Sequence, residues 1–222
     1  VNSAGVILND DSHATNDFRV ESDSNTHMLF VDSGNNNVGI GTSSPNHTLS
    51  VTLADTTTAH FGNGEYGANE FSGISLGYRN SGDTNNIKTK IVQEGIGDGN
   101  ARGHLHFLVD TVADNNSAVI ADSKMMIHGT SGYVGIGTDS PDTICHIESA
   151  NPYLTLENSS TEDGDTGRES QVRFQGRQSG GEVSVLAKIQ GSHDGSSDDE
   201  KGHLLFYTNS GGSEAIRFKI DS

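Results

Sequence analysis

His104 and His106 sit one residue apart in Gly103-His104-Leu105-His106-Phe107. On a strand, alternate side chains share a face, so the two imidazoles lie side by side. Three chains around an axis would then offer six ring nitrogens to a metal. The same stretch recurs as Gly202-His203-Leu204-Leu205-Phe206, where the first histidine is kept and Leu205 replaces the second. A position that accepts leucine reads as packing, so no metal ligand is assigned.

Other chemistry-bearing residues receive equally plain readings. Asp194-Gly195-Ser196-Ser197-Asp198-Asp199-Glu200 is the densest acidic loop and could hold Ca²⁺, but it lacks the EF-hand spacing and is expected to be a solvated hairpin tip. Asp163-Gly164-Asp165 reads the same way. Asn46-His47-Thr48, Asn115-Asn116-Ser117 and Asn158-Ser159-Ser160 match the glycosylation sequon, in a chain rich enough in Asn and Ser to produce such triplets by chance. Cys145 is the one cysteine, which rules out an intrachain disulfide and a thiolate zinc cluster; it is expected to be a small buried hydrophobe. No carboxylic acid stands in an apolar setting and no Ser-His-Asp arrangement can be picked out, so the chain is read as a non-enzyme without a cofactor. The Gly-x-Gly pairs lack the third glycine and the following helix of a phosphate loop.

Composition narrows the classes further. The hydrophobic set supplies 31% of residues, Trp is absent and Gly occupies 28 positions. So little apolar surface must offset the conformational entropy of folding that association with other copies is expected to complete the interior. The net charge of -17 argues against nucleic acid and anionic membranes, whose phosphates need a basic patch. No apolar run approaches the roughly 20 residues of a membrane span.

The elements that position these residues form a repeating pattern. Val-Gly-Ile-Gly-Thr occurs at Val38–Thr42 and again, 96 residues on, at Val134–Thr138, and each copy runs into Thr-x-Ser-Pro. Gly39, Gly41 and Pro45 in the first copy, and Gly135, Gly137 and Pro141 in the second, are the structural-turn residues. Glycine at alternate positions admits close backbone approach, and proline sets the second position of a turn. Leu49-Ser50-Val51 then matches Cys145-His146-Ile147. Strands are expected near His60-Phe61 and over Tyr153-Leu154-Thr155-Leu156. Ile74-Ser75-Leu76-Gly77-Tyr78 matches Val172-Arg173-Phe174-Gln175, and Lys90-Ile91-Val92 matches Lys188-Ile189-Gln190. Each run alternates with period two and ends at Gly, Asn, Asp or Ser.

The expected fold is all-β: an elongated tandem β-repeat of about 96–99 residues per unit, with short antiparallel strands of four to seven residues and minimal helix. Residues 1–37 form the closing half of a preceding repeat, with Phe18-Arg19-Val20 and Met28-Leu29-Phe30-Val31 as strands. Residues 38–133 make a complete repeat and 134–222 a second, ending at Phe218-Lys219-Ile220 where a third Gly turn would be due. The pattern at both ends leads to the expectation of a segment cut from a longer protein.

Asp17-Phe18-Arg19-Val20-Glu21-Ser22, Met28-Leu29-Phe30-Val31-Asp32 and the two Val-Gly-Ile-Gly-Thr-x-Ser-Pro turns resemble the distal repeats of bacteriophage tail fibres and tail spikes. The resemblance implies an interwoven homotrimeric fibre in the virion tail, extracellular, attaching to a host-surface glycan or protein. A self-cleaving chaperone domain, which ends many members, would lie beyond Ser222. Similar turns occur in secreted surface proteins of bacteria, which leaves an extracellular filament or adhesin assembled by strand exchange as an alternative. A polysaccharide-degrading spike is the second alternative.

Overall fold

Short alternating runs broken by Gly, Asn and Asp yield strands and almost nothing else. The computed structural model describes residues 17–53, 58–62, 67–77 and 86–222. These form fourteen strands and one 3-10 turn at Ile120–Asp122, so the chain is all-β. Tyr78, placed at the end of an expected strand, lies outside the described residues, as does residue 1–16 of the expected closing half-repeat. Among the described residues no helix is long and apolar enough to cross a membrane.

The chain divides into two compact units, Val1–Glu148 and Ser149–Ser222. The first contains a four-stranded sheet of β1 (Phe18–Val20), β2 (Leu29–Asp32), β3 (Asn37–Ile40) and β4 (Leu49–Val51). It also contains a six-stranded sheet of β5 (Ala68–Leu76), β6 (Thr89–Ile96), β7 (Gly103–Val109), β8 (Ser123–Ile127), β9 (Val134–Ile136) and β10 (Cys145–Ile147). The second unit is a four-stranded sheet of β11 (Ser170–Arg177), β12 (Val183–His193), β13 (Gly202–Asn209) and β14 (Glu214–Ile220). Strands adjacent in sequence are adjacent in each sheet, the arrangement that short connections favour.

Three expectations need correction. The pairing is not antiparallel throughout: β3 pairs β4, and β9 pairs β10, in parallel. In both places a short connection, residues 41–48 and 137–144, brings the chain back alongside the strand it has just left, in the same direction. Nor are all strands short, since β12 runs eleven residues and β5 nine. His60-Phe61 and Tyr153–Leu156 are not strands. Their apolar side chains are largely exposed, Tyr153 at 84% and Leu154 at 70%, and alternation without a neighbouring strand to bond leaves a segment irregular.

Registers repeat across the sheets. Val38 faces Leu49 and Val134 faces Cys145 across the parallel pairs. Val92 faces His106 as Gln190 faces Leu205, and Gly73 faces Val92 as Gln171 faces Gln190. A bulge follows Phe107 between β7 and β8, and another follows Phe206 between β13 and β14. The sequence segmentation begins units at Val38 and Val134, whereas the sheet hydrogen bonds join β3 to β2 and β9 to β8.

What core there is lies on one face. In the six-stranded sheet Val92, His106, Leu108 and Met126 are buried on one face, and Ala118 and Ile120 of the connection from β7 to β8 pack against Val92 and Leu108. That connection is pinned at Ala118. Ala118 N–H donates to the Ile87 carbonyl at 2.9 Å, and Lys90 Nζ donates to the Ala118 carbonyl at 2.7 Å.

Candidate functional site

Two constellations follow from this topology: the glycine turns, which shape the sheets, and the sheet faces opposite the buried one. The first Gly of each turn is buried in its strand. A Cβ on Gly39 would stand 2.5 Å from the Thr42 carbonyl oxygen, and on Gly135 2.3 Å from that of Thr138. The close approach that alternate glycines permit is therefore the turn's own backbone folding over its strand. The second Gly is left-handed, φ 72° at Gly41 and 77° at Gly137, and an added Cβ would meet Thr52 or Glu148 carbonyl oxygen at 2.4 or 2.2 Å. Only glycine meets both demands. Pro45 is buried in the connection to β4, where its carbonyl accepts from Asn37 Nδ2 at 2.8 Å, and Pro141 is half-buried at the matching place before β10.

Residues directly opposite in register share a face. One row therefore crosses the whole six-stranded sheet: Ile74, Ile91, Phe107, Met125, Ile136 and Ile147. In the second unit the row is Val172, Ile189, Phe206 and Phe218. In the first sheet it is Val20, Leu29, Ile40 and Val51, flanked by Phe18, Val31, Val38 and Leu49. None of these residues is buried; Phe218 is 58% exposed and Leu49 61%. On the opposite face of the second unit, Gln190, Ser192 and His203 are buried with Leu205. In the second unit polar groups thus share the buried face with Leu205, while in every sheet the apolar row on the other face is open or only half-covered.

Cys145 corrects one expectation. It is exposed at the edge strand β10, on the open apolar face, because a single chain provides nothing over that edge among the described residues.

The histidine pair does share a face, with ring centroids 5.9 Å apart. His106 is 1% exposed, its Nε2 3.2 Å from Glu94 Oε2 and its Nδ1 3.0 Å from Ser123 Oγ. His104 Nδ1 accepts from Gly129 N–H at 3.0 Å, and its ring packs 4.6 Å from that of His128. Burial, then the neighbouring His128 and His106, hold His104 below the usual imidazole range, which favours the neutral ring. These imidazoles line a cleft of about 780 Å³ together with Glu94, Asp139 and Glu148. Both ring nitrogens of His106 and the Nδ1 of His104 are engaged in hydrogen bonds.

Sequence reasoning identified the turns residue by residue but missed the rows, because alternation within a strand does not reveal which residues stand opposite on the next. The chain matches no protein-family model and no curated protein.

Proposed function

We propose that this chain is a shaft segment of an extracellular trimeric fibre, a structural and adhesive element that spaces a host-recognising tip from its base. The carrying observation is the uncovered apolar row on each sheet. A sheet with one apolar face ordinarily stacks that face on a second layer, and here Ile74–Ile147, Val172–Phe218 and Val20–Val51 form open rows. Sister copies supply the missing layer. Covering one half-exposed Ile or Phe contributes about 1 kcal/mol, so several rows per chain outweigh the cost of association.

The matched registers, the twin bulges and the like geometry of the two Gly turns support a tandem unit of about 96–99 residues. The threefold symmetry, the virion tail location and a host glycan or protein as partner rest on the resemblance to tail-fibre repeats. Electron microscopy of the purified chain tests the reading: discrete rods that resist SDS support it, and compact single-chain particles overturn it.

A second reading, an extracellular filament joined by strand exchange, is favoured by Tyr153–Leu156. This strand-like run carries exposed apolar residues and has no sheet partner among the described residues. An open ladder of oligomers, lost when Leu154 is changed to Pro, would favour the filament over the discrete fibre.

A further inference from the structure

We propose that Asp165, Asp194 and His203 form a binding site for a first-row divalent cation, with Zn²⁺ the best fit to the donor set. This reverses the reading of the two acidic loops as solvated tips and adds a metal to the second unit that the shaft reading does not require.

His203 lies in β13 on the polar, buried face, opposite Ser192. The residue is 4% exposed, and among the described residues neither Nδ1 nor Nε2 has a hydrogen-bond partner. An imidazole always presents at least one N–H, and a buried polar group without a partner costs about 1–3 kcal/mol. The neighbouring groups are carboxylates. Asp194 Oδ1 is 3.6 Å from His203 Nδ1 and Asp165 Oδ1 is 4.0 Å from it. One ligand atom from each of the three residues lies within 4.8 Å of the others. These separations exceed hydrogen-bond length but suit ligands around a shared ion. Zn–N and Zn–O bonds of about 2.0–2.2 Å set tetrahedral ligands roughly 3.3 Å apart. One imidazole with two carboxylates favours Zn²⁺ over Ca²⁺ or Mg²⁺, which prefer oxygen throughout.

The backbone brings these groups together. Thr166 N–H donates to the His193 carbonyl at 3.0 Å and His193 N–H donates to the Gly167 carbonyl at 2.8 Å, which fastens the loop bearing Asp165 to the end of β12. Asp194 follows directly in sequence. Its Oδ2 accepts from Ser222 N–H and Oγ, leaving Oδ1 facing the ring, while Asp165 Oδ1 also accepts from Gly195 N–H at 3.5 Å. Lys219 Nζ lies 3.7 Å from Asp194 Oδ1 and 2.8 Å from Asp221 Oδ1, so its ammonium competes with an ion and has Asp221 to retreat to. The matching histidine of the first unit, His104, has the Gly129 N–H as partner and needs no ion.

Zn²⁺ titrated calorimetrically into the chelator-treated full chain tests the site. One ion per chain is expected. Asp165→Asn, at an exposed position that leaves the fold intact, should weaken binding at least tenfold, and His203→Asn should abolish it. Lys219→Met should tighten it severalfold, and Asp198→Asn, on the exposed tip, should leave it unchanged. No uptake, or Asp165→Asn binding as well as the unaltered chain, would overturn the proposal; so would weaker binding by Lys219→Met.

Discussion

Phe206 and Phe218 face each other across β13 and β14 with ring centroids 5.8 Å apart, and more than half of Phe218 is open to solvent. Together with Val172 and Ile189 they complete a row that no described part of the unit covers. Phe218→Asp should therefore cost the isolated chain only about 1 kcal/mol, the worth of that cross-strand aromatic pair. In an assembly that buries the row, an unpaired carboxylate costs about 3 kcal/mol or more per copy. Sedimentation velocity should show the variant dissociating at concentrations where the unaltered chain is associated. Glu182→Gln, away from that row in the β11–β12 turn, should leave association unchanged.

The glycine turns separate two costs. Gly132 is left-handed with open space around it, so Gly132→Ala should cost only the conformational penalty of about 1–2 kcal/mol. Gly41→Ala and Gly137→Ala add a collision with a backbone carbonyl and should cost about 3 kcal/mol or more each. Denaturant unfolding of the three variants reads the difference directly.

Much of this was legible in the residues themselves. Period-two runs ending at Gly or Asn located most strands, because alternation and turn chemistry are local. The doubled Gly turn announced itself by recurrence. Parallel pairing of β3 with β4 was hidden, since it depends on Thr42 folding over Gly39, a contact along the chain that no alternation records. Tyr153–Leu156 has the pattern of a strand but no neighbour to pair with among the described residues, a property of the surroundings rather than of the segment. The Asp165, Asp194 and His203 cluster unites residues from one loop, one strand end and one strand, and only the fastening of residues 164–167 to β12 brings them together.

His106 and Leu205 offer an exchange experiment. Each sits buried at the same register position, but His106 has Glu94 and Ser123 as partners, whereas Leu205 stands opposite Gln190. His106→Leu should cost about 1 kcal/mol through the lost hydrogen bonds. Leu205→His, which buries an imidazole without a prepared partner, should cost about 3 kcal/mol. Thermal unfolding at neutral pH checks the order.

Acid should loosen the first unit within a defined window. Lys88 Nζ lies 2.6 Å from both Asp110 Oδ2 and Asp114 Oδ1. The lysine contact holds Asp114 down to about 2 and Asp110 below its ordinary value. For depressed carboxylates the stabilisation is fully present above the unfolded value near 3.8 and disappears as pH falls through the folded one. Lys88, raised by the same carboxylates, loses its share only as pH climbs beyond the ordinary 10.5. Stability measured from pH 5 to 2 should fall, and Asp114→Asn should flatten that slope while leaving the curve between pH 6 and 8 level.

Association through the open rows is tested most directly by the mass of the native particle. Sedimentation equilibrium across micromolar concentrations should give a single species of three 23.4 kDa chains, with no free monomer. A monodisperse 23.4 kDa particle that unfolds cooperatively and does not bind an apolar dye would show that each chain closes its own interior, and the trimeric fibre would have to be abandoned.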